Sequence, residues 1–239
     1  MGEGCGNDAE LLQYVTSANI ACGYHAGDGD TMQHTVDLAI ENGVAIGAHP
    51  GYRDRENFGR TEMNLTTAEV CTLVTDQIES LDKVVTAAGG RLSHVKPHGA
   101  LYNQAARDAG LAAAIAEAVA KYDPDLILFG LSGSHSIDAA KICGLRAASE
   151  VFADRTYQTD GSLTPRSEPN ALISDADAAV TQVLDMIKYG RVRSVDAIMV
   201  HIVAETVCIH GDGKQSVEFA KTIRRKLSDS GIVIKPIYG

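Results

Sequence analysis

Tryptophan is absent from the 239 residues, and aromatics make up only 5% of them. A core built from this chain is therefore aliphatic, packed from Ala, Val, Ile and Leu. No apolar run reaches the ~18 residues of a membrane-spanning helix. The five cysteines, Cys5, Cys22, Cys71, Cys143 and Cys208, are odd in number and form no C-x-x-C. That argues against a disulfide framework and a zinc knuckle, and reads as reduced thiols in a reducing, cytoplasmic compartment. Positive charge is also scarce, with 21 Lys and Arg against 31 Asp and Glu, a net charge of −10. Nucleic acid and anionic membrane surfaces, which need basic partners, are thereby disfavoured. An anionic small substrate is not, if a few Lys or Arg gather locally. The opening Met1-Gly2-Glu3-Gly4 has neither a basic nor an apolar region and does not read as a signal peptide.

What the chain does contain is a regular alternation of short apolar runs and amphipathic helices. Strands are expected at Ala18–Gly23, Val44–His49, Leu92–Pro97, Leu126–Leu131, Leu145–Phe152 and Thr206–His210. Asp28 and Asp30 precede a helix over Thr31–Asn42, ended by Gly43. Thr66 precedes a long one with Val70, Leu73, Val74, Ile78, Leu81 and Val85 on one face, ended by Gly89. Ser134 and Gly144 bracket another, and Ser174 and Gly190 a fourth. Such alternation predicts a parallel sheet covered by helices. About six units without a linker favour one α/β barrel domain over 1–239, with an open doubly wound sheet as the alternative. The polar segments Gly51–Asn64 and Tyr157–Asn170 read as long loops over a site.

In a parallel α/β fold the C-terminal strand ends share one rim, where active sites form. Five of the eight histidines, His25, His49, His94, His98 and His210, fall at or beside strand ends. His25 and His49 suit proton transfer or metal ligation, and two rim histidines with a carboxylate could hold a divalent ion. Asp28 is either a helix cap or a site residue. Tyr52 is either a ligand contact or a packed loop ring. His94, Lys96 and His98 share one face of an extended segment. A buried Lys96 must be paired or used, either to hold an anionic group or in a salt bridge to Glu150. Glu150 is a base or that partner. Asp154 and Arg155 fix a loop or join the site, and Arg166 closes over an anion or is a solvated charge. His210 and Asp212 follow the last strand, where Gly211 and Gly213 permit close approach of a phosphate. No phosphate-binding P-loop or dinucleotide fingerprint is present.

Five segments together resemble the LamB/YcsF family, which comprises the A subunits of bacterial ATP-dependent 5-oxoprolinases. They are Tyr14–Asp28, Gly43–Tyr52, His94–Asn103, Ser149–Arg155 and Cys208–Asp212. The resemblance implies a seven-stranded (β/α) TIM-like barrel like that of the polysaccharide-deacetylase superfamily. It implies ATP as a substrate, Mg travelling with it, and cleavage of 5-oxoproline to L-glutamate beside separate B and C subunits. His25, His49, Lys96, His98 and Glu150 would then be catalytic. Asn19, Asp28, Tyr52, Tyr102, Asp154, Arg155, Arg166, His210 and Asp212 would bind substrate or nucleotide. Family members open with a strand ending in an Asp-Leu-Asn-x-Asp type segment before Gly-Glu-Gly, whereas this chain begins at Met1-Gly2-Glu3-Gly4. The expectation is therefore six strands, with the first one missing and two unpaired edges. Two other readings remain: a metal-dependent amidase or deacetylase on the same barrel, and a non-catalytic subunit that binds a small acid. A homo-oligomer is compatible with all three.

Overall fold

The six apolar runs pair edge to edge in the order in which they occur. In the computed structural model, which describes residues 1–211, 213 and 216–237, the chain runs α1 (Asp8–Leu11), β1 (Ser17–Ala21), α2 (Gly29–Glu41), β2 (Ala45–His49), α3 (Thr67–Ala87) and β3 (Leu92–Val95). It continues through α4 (Gly99–Arg107), α5 (Ala109–Tyr122), β4 (Ile127–Leu131), α6 (His135–Ile142), β5 (Arg146–Phe152) and α7 (Ala176–Tyr189). A hairpin of β6 (Arg191–Arg193) and β7 (Met199–His201) precedes β8 (Thr206–Cys208) and α8 (Ser216–Asp229). The main sheet has the order β1-β2-β3-β4-β5-β8, and every pairing in it is parallel. Residues of both end strands, β1 and β8, line one cavity, so the sheet curls around it. Six strands are present in this sheet among the described residues, where the family resemblance implies seven.

Local chemistry sets the helix limits. Asp28 accepts from Thr31 N at 2.9 Å and caps α2. Thr66 and Glu69 form a reciprocal capping box at the start of α3. Asp175, and not Ser174, caps α7 through Ala178 N, and Gly190 ends that helix in the left-handed region at φ 60°. Helix α3 buries Val70, Val74, Ile78, Leu81 and Val85 against the sheet. Each such side chain contributes about 1.5–3 kcal/mol. Gln77 lies fully buried on that same apolar face. Its amide accepts from Gly51 N at 3.0 Å and donates to Gly51 O at 2.9 Å, which fixes the turn after His49. The hairpin β6–β7 carries no strand signal as clear as those of the main sheet, because its strands are three residues long and mostly exposed.

Candidate functional site

A cavity of about 1330 Å³ opens at the C-terminal strand ends, and Glu3, Asn19, His49, Lys96, His98 and Glu150 all reach its wall. Two buried polar clusters stand there. In the first, β3 delivers Lys96 and β5 delivers Glu150, whose side chains are only 6% and 2% exposed. Lys96 Nζ lies 2.8 Å from Glu150 Oε1 and donates to Cys208 Sγ at 3.1 Å. Tyr102 Oη donates to Glu150 Oε2 at 2.8 Å. The ammonium also sits over the rings of Phe152, at 5.0 Å, and Tyr102, at 5.5 Å. Burial alone would push the Lys96 pKa down, but the Cys208 sulfur and the Glu150 carboxylate offset it and hold lysine above its ordinary range. Burial raises the Cys208 thiol to about 12, against the pull of Lys96. The sulfur is therefore a neutral acceptor at physiological pH.

The second cluster joins His25, His49, His98 and Glu3. His25 and His98 stack at 3.8 Å between ring centroids, nearly parallel, and His49 meets both edge-on. His49 Nδ1 donates to the Lys96 carbonyl at 2.6 Å, and His98 Nε2 donates to the Phe58 carbonyl at 2.8 Å. The remaining nitrogens, His49 Nε2 and His98 Nδ1, face each other at 3.0 Å. Glu3 Oε1 lies 3.4 Å from His25 Nε2 and 3.7 Å from His98 Nδ1. Burial first, then the neighbouring imidazoles, lowers His49 well below the ordinary histidine range. Burial and His25 bring His98 to about 3. Burial works against the Glu3 carboxylate, yet the Met1 ammonium and the two rings bring it to about 2. One donor atom from each of Glu3, His49 and His98 lies within 4.8 Å of the others, so these three could hold a metal ion.

The loop over 51–66 shapes this cluster. Asp54 accepts from Asn57 N, Asn57 Nδ2 and Thr61 N, and the tightened turn puts Phe58 at φ 57°. Gly59 follows at φ +65°, and a Cβ there would stand 2.8 Å from His25 Cβ and 3.0 Å from His98 Cδ2. Only glycine allows the loop to pack this closely on the stacked rings.

The other expected residues disperse. His94 is buried apart from the rim rings, with Nε2 3.0 Å from Asn19 Oδ1, Nδ1 2.9 Å from Ser93 Oγ, and its ring stacked on Phe129. The three residues of the His94–His98 segment thus go to three different partners. Asp28 is an exposed helix cap. Tyr52 is fully buried beneath its loop, donating to Gln104 Oε1 at 2.7 Å. Arg155 reaches the cavity wall, but its guanidinium donates to the Ala171 and Thr164 carbonyls and so pins the loop after β5. Asp154 pairs with His210 Nδ1 at 2.7 Å beside Phe152. Arg166 is exposed at the cavity mouth. Asp212 lies outside the described residues. Glu3, Phe58 and Cys208 were not expected at the site. The signal for Glu3 was a single carboxylate in a run of glycines, Gly2, Gly4 and Gly6, all of positive φ. Cys208 reads from sequence as a small core residue.

The sequence profile of the LamB/YcsF family matches residues 1–239. The A subunit of 5-oxoprolinase from Geobacillus kaustophilus (strain HTA426) is 60% identical over 226 residues, 95% of this chain and 88% of that protein. The crystal structure of a lactam utilization protein from Thermus thermophilus superposes with a TM-score of 0.91 at 41% identity, covering 97% of this chain and 93% of that one.

Proposed function

The chain belongs to the LamB/YcsF family, and on that premise we propose that it is the lactam-handling subunit of an ATP-dependent 5-oxoprolinase. With B and C subunits it would open 5-oxo-L-proline to L-glutamate as ATP is hydrolysed, Mg arriving with the nucleotide. The observation that carries this reading is a buried, charged Lys96 on the cavity wall of a chain 60% identical to a protein of that name. A lactam is a stable amide, so phosphorylating its carbonyl oxygen with ATP makes the ring carbon more electrophilic. Water adds there, the C–N bond breaks with the ring nitrogen leaving as the amine, and the acyl phosphate so formed is hydrolysed to glutamate and phosphate. An ammonium has three donors. Glu150 and Cys208 engage two of them, and the third can meet the carboxylate or phosphoryl oxygen of a ligand. Glu150 is the base that orients water, and His49 and His98 move protons. Arg166 at the mouth and the Asp154–His210 pair would contact the anionic ends of substrate or nucleotide.

Two further points belong to this reading. The six strands are part of a seven-stranded barrel, a view supported by the edges β1 and β8 both lining the cavity. The protein works in the cytoplasm, in keeping with cysteines that form no disulfide among the described residues. No helix among the described residues is long and apolar enough to cross a membrane.

The Glu3–His49–His98 cluster favours a second reading, a metal-dependent amidase on the same barrel. One assay separates the two: glutamate and phosphate release from 5-oxoproline, with and without ATP, using this chain and purified B and C subunits. Glutamate formation that requires ATP, and that drops about 100-fold or more in Lys96→Ala, is the expected result. Glutamate formed without ATP moves the assignment to the amidase. Silence from folded protein with active partners overturns both and leaves a small-acid-binding subunit.

A further inference from the structure

Three residues form a row across the first three strands. Asn19 on β1 stands in register with Gly47 on β2, and Gly47 with His94 on β3. Gly47 has no side chain, so the His94 imidazole lies across β2 and brings Nε2 3.0 Å from the Asn19 amide at Oδ1. A Cβ at Gly47 would collide with the ring at Nε2, Cδ2 and Cε1. The register shifts by one residue at this point and leaves Ser93 as the extra residue of β3. Its hydroxyl contacts the Ile46 carbonyl and His94 Nδ1, each at 2.9 Å.

Hydrogen count fixes the direction of every bond in this relay. The Ile46 carbonyl only accepts, so the single hydroxyl hydrogen of Ser93 goes to it. Ser93 Oγ then offers only lone pairs to Nδ1, and His94 must carry its hydrogen there. A second hydrogen on Nε2 would make an imidazolium. The ring is 0% exposed and stacked on Phe129, and the charge it feels is the like-signed Lys96 ammonium. Such a ring stays neutral. Nε2 is therefore an acceptor, and the end of the Asn19 amide that meets it must donate. The two ends of an amide are nearly equal in shape, so hydrogen bonding decides between them. The other end has no protein partner among the described residues, and Asn19 lines the cavity. We propose that Asn19 gives its NH2 to His94 and turns its carbonyl oxygen into the cavity, where it accepts the ring N–H of the lactam.

This role rests on the lactam reading above and supplies its selectivity. The Lys96 ammonium suits any carboxylate or phosphate, whereas a buried acceptor suits only a ligand that carries an N–H. As the ring oxygen takes a phosphoryl group, the ring nitrogen becomes more positive and its N–H a stronger donor, so the bond to Asn19 tightens in that step. His94 is a positioning residue that acts through Asn19.

Two measurements separate this role from the lactam reading itself. 15N NMR of the full chain at neutral pH reads the His94 tautomer without any ligand. Hydrogen on Nδ1 and a bare Nε2 are expected; hydrogen on Nε2, in a neutral or a charged ring, overturns the assignment whatever the substrate. The ATP-dependent assay with B and C subunits then compares 5-oxoproline with 3-oxocyclopentane-1-carboxylate, in which CH2 replaces the ring N–H. Asn19→Ala should raise KM for 5-oxoproline about 2–12-fold, the range for one neutral hydrogen bond, and leave the inhibition constant of the analogue unchanged. His94→Leu should act in the same direction, and His94→Gln, whose carbonyl can accept from Asn19, should restore part of the loss. Equal losses for both ligands in folded Asn19→Ala would show a packing role and overturn the proposal. If that variant fails to fold, the wild-type complex decides: an analogue that binds as tightly as 5-oxoproline overturns it, and a weaker one supports it. A wild-type complex silent toward 5-oxoproline overturns the lactam reading and the N–H contact together, while the tautomer result still stands for the direction of the amide.

Discussion

Two polar clusters share one cavity and solve burial in opposite ways. Around Glu150 every charge has its counter-charge: the carboxylate takes Lys96 on one oxygen and Tyr102 on the other, and Lys96 directs a second donor at Cys208. Around Glu3 the pairing is incomplete. Two imidazoles have their N–H groups tied to backbone carbonyls and turn lone pairs toward each other. The first cluster is complete within the protein and keeps a donor in reserve for a ligand. The second is incomplete until something positive joins it. The difference teaches that a buried polar group closed by protein partners can still keep one donor for a ligand, whereas one left unclosed needs a partner from outside the protein.

The comparison breaks most sharply at Lys96. Removing it leaves Glu150, 1% exposed, as an uncompensated buried charge. Lys96→Ala is expected to destabilise the fold by about 3–5 kcal/mol in urea unfolding. The double change Lys96→Met with Glu150→Leu removes both charges and should recover most of that loss while leaving the protein inactive. A single variant as stable as wild type would show that the pair is not a closed unit.

His94 tests the next level. It is a fourth buried imidazole, on β3, but its ring nitrogens have protein partners in Asn19 and Ser93. Burial, with Lys96 adding to it, lowers its pKa to about 3. The folded protein therefore holds this ring neutral while the unfolded chain takes up a proton below about 6.5. Stability from this group is fully present above that value and is lost as pH falls from about 6.5 toward 3. The slope is at most about 1.4 kcal/mol per pH unit. Urea midpoints measured from pH 8 to pH 4 should fall on the acid side, and His94→Gln should flatten its share of the slope. An unchanged slope in that variant would assign the acid sensitivity elsewhere, first to His98, whose shift has the same direction.

Much of the architecture was legible because its signals are local. Asp28, Thr66 and Gly190 mark helix ends through chemistry within three or four residues, and all six expected parallel strands occur within a few residues of their expected limits. The pairing of Lys96 with Glu150 was also readable, since a lysine on a buried strand end requires a carboxylate and the next rim strands offer few. The histidine cluster was readable only in part. Its rings come from strand ends, but the atoms that fix their tautomers are backbone carbonyls of Lys96 and Phe58, which carry no residue signature. Glu3 and Cys208 arrive from opposite ends of the sequence, and only tertiary folding brings them to the same wall. Gln77 escaped because a polar side chain on an apolar helix face looks like a break in pattern until its partner, Gly51, is known.

The smallest expected effect is the most discriminating for the closed cluster. Tyr102 is 5% exposed and gives Glu150 Oε2 its donor. In Tyr102→Phe the ring stays beneath the Lys96 ammonium and edge-on to Phe152, where centroids are 5.7 Å apart. Only the hydroxyl goes, so packing is held constant and one charge-assisted hydrogen bond is deleted. The Lys96 contact to Oε1 remains, which limits the loss to about 1.5–3 kcal/mol, below that of Lys96→Ala. Urea unfolding reads this directly, and the KM for 5-oxoproline reads whether the freed Oε2 disturbs ligand binding. A loss confined to stability would make Tyr102 a support of Glu150 alone. A raised KM at nearly unchanged stability would mean that the hydroxyl also serves the ligand, and that the cluster is less closed than its contacts in the free protein suggest.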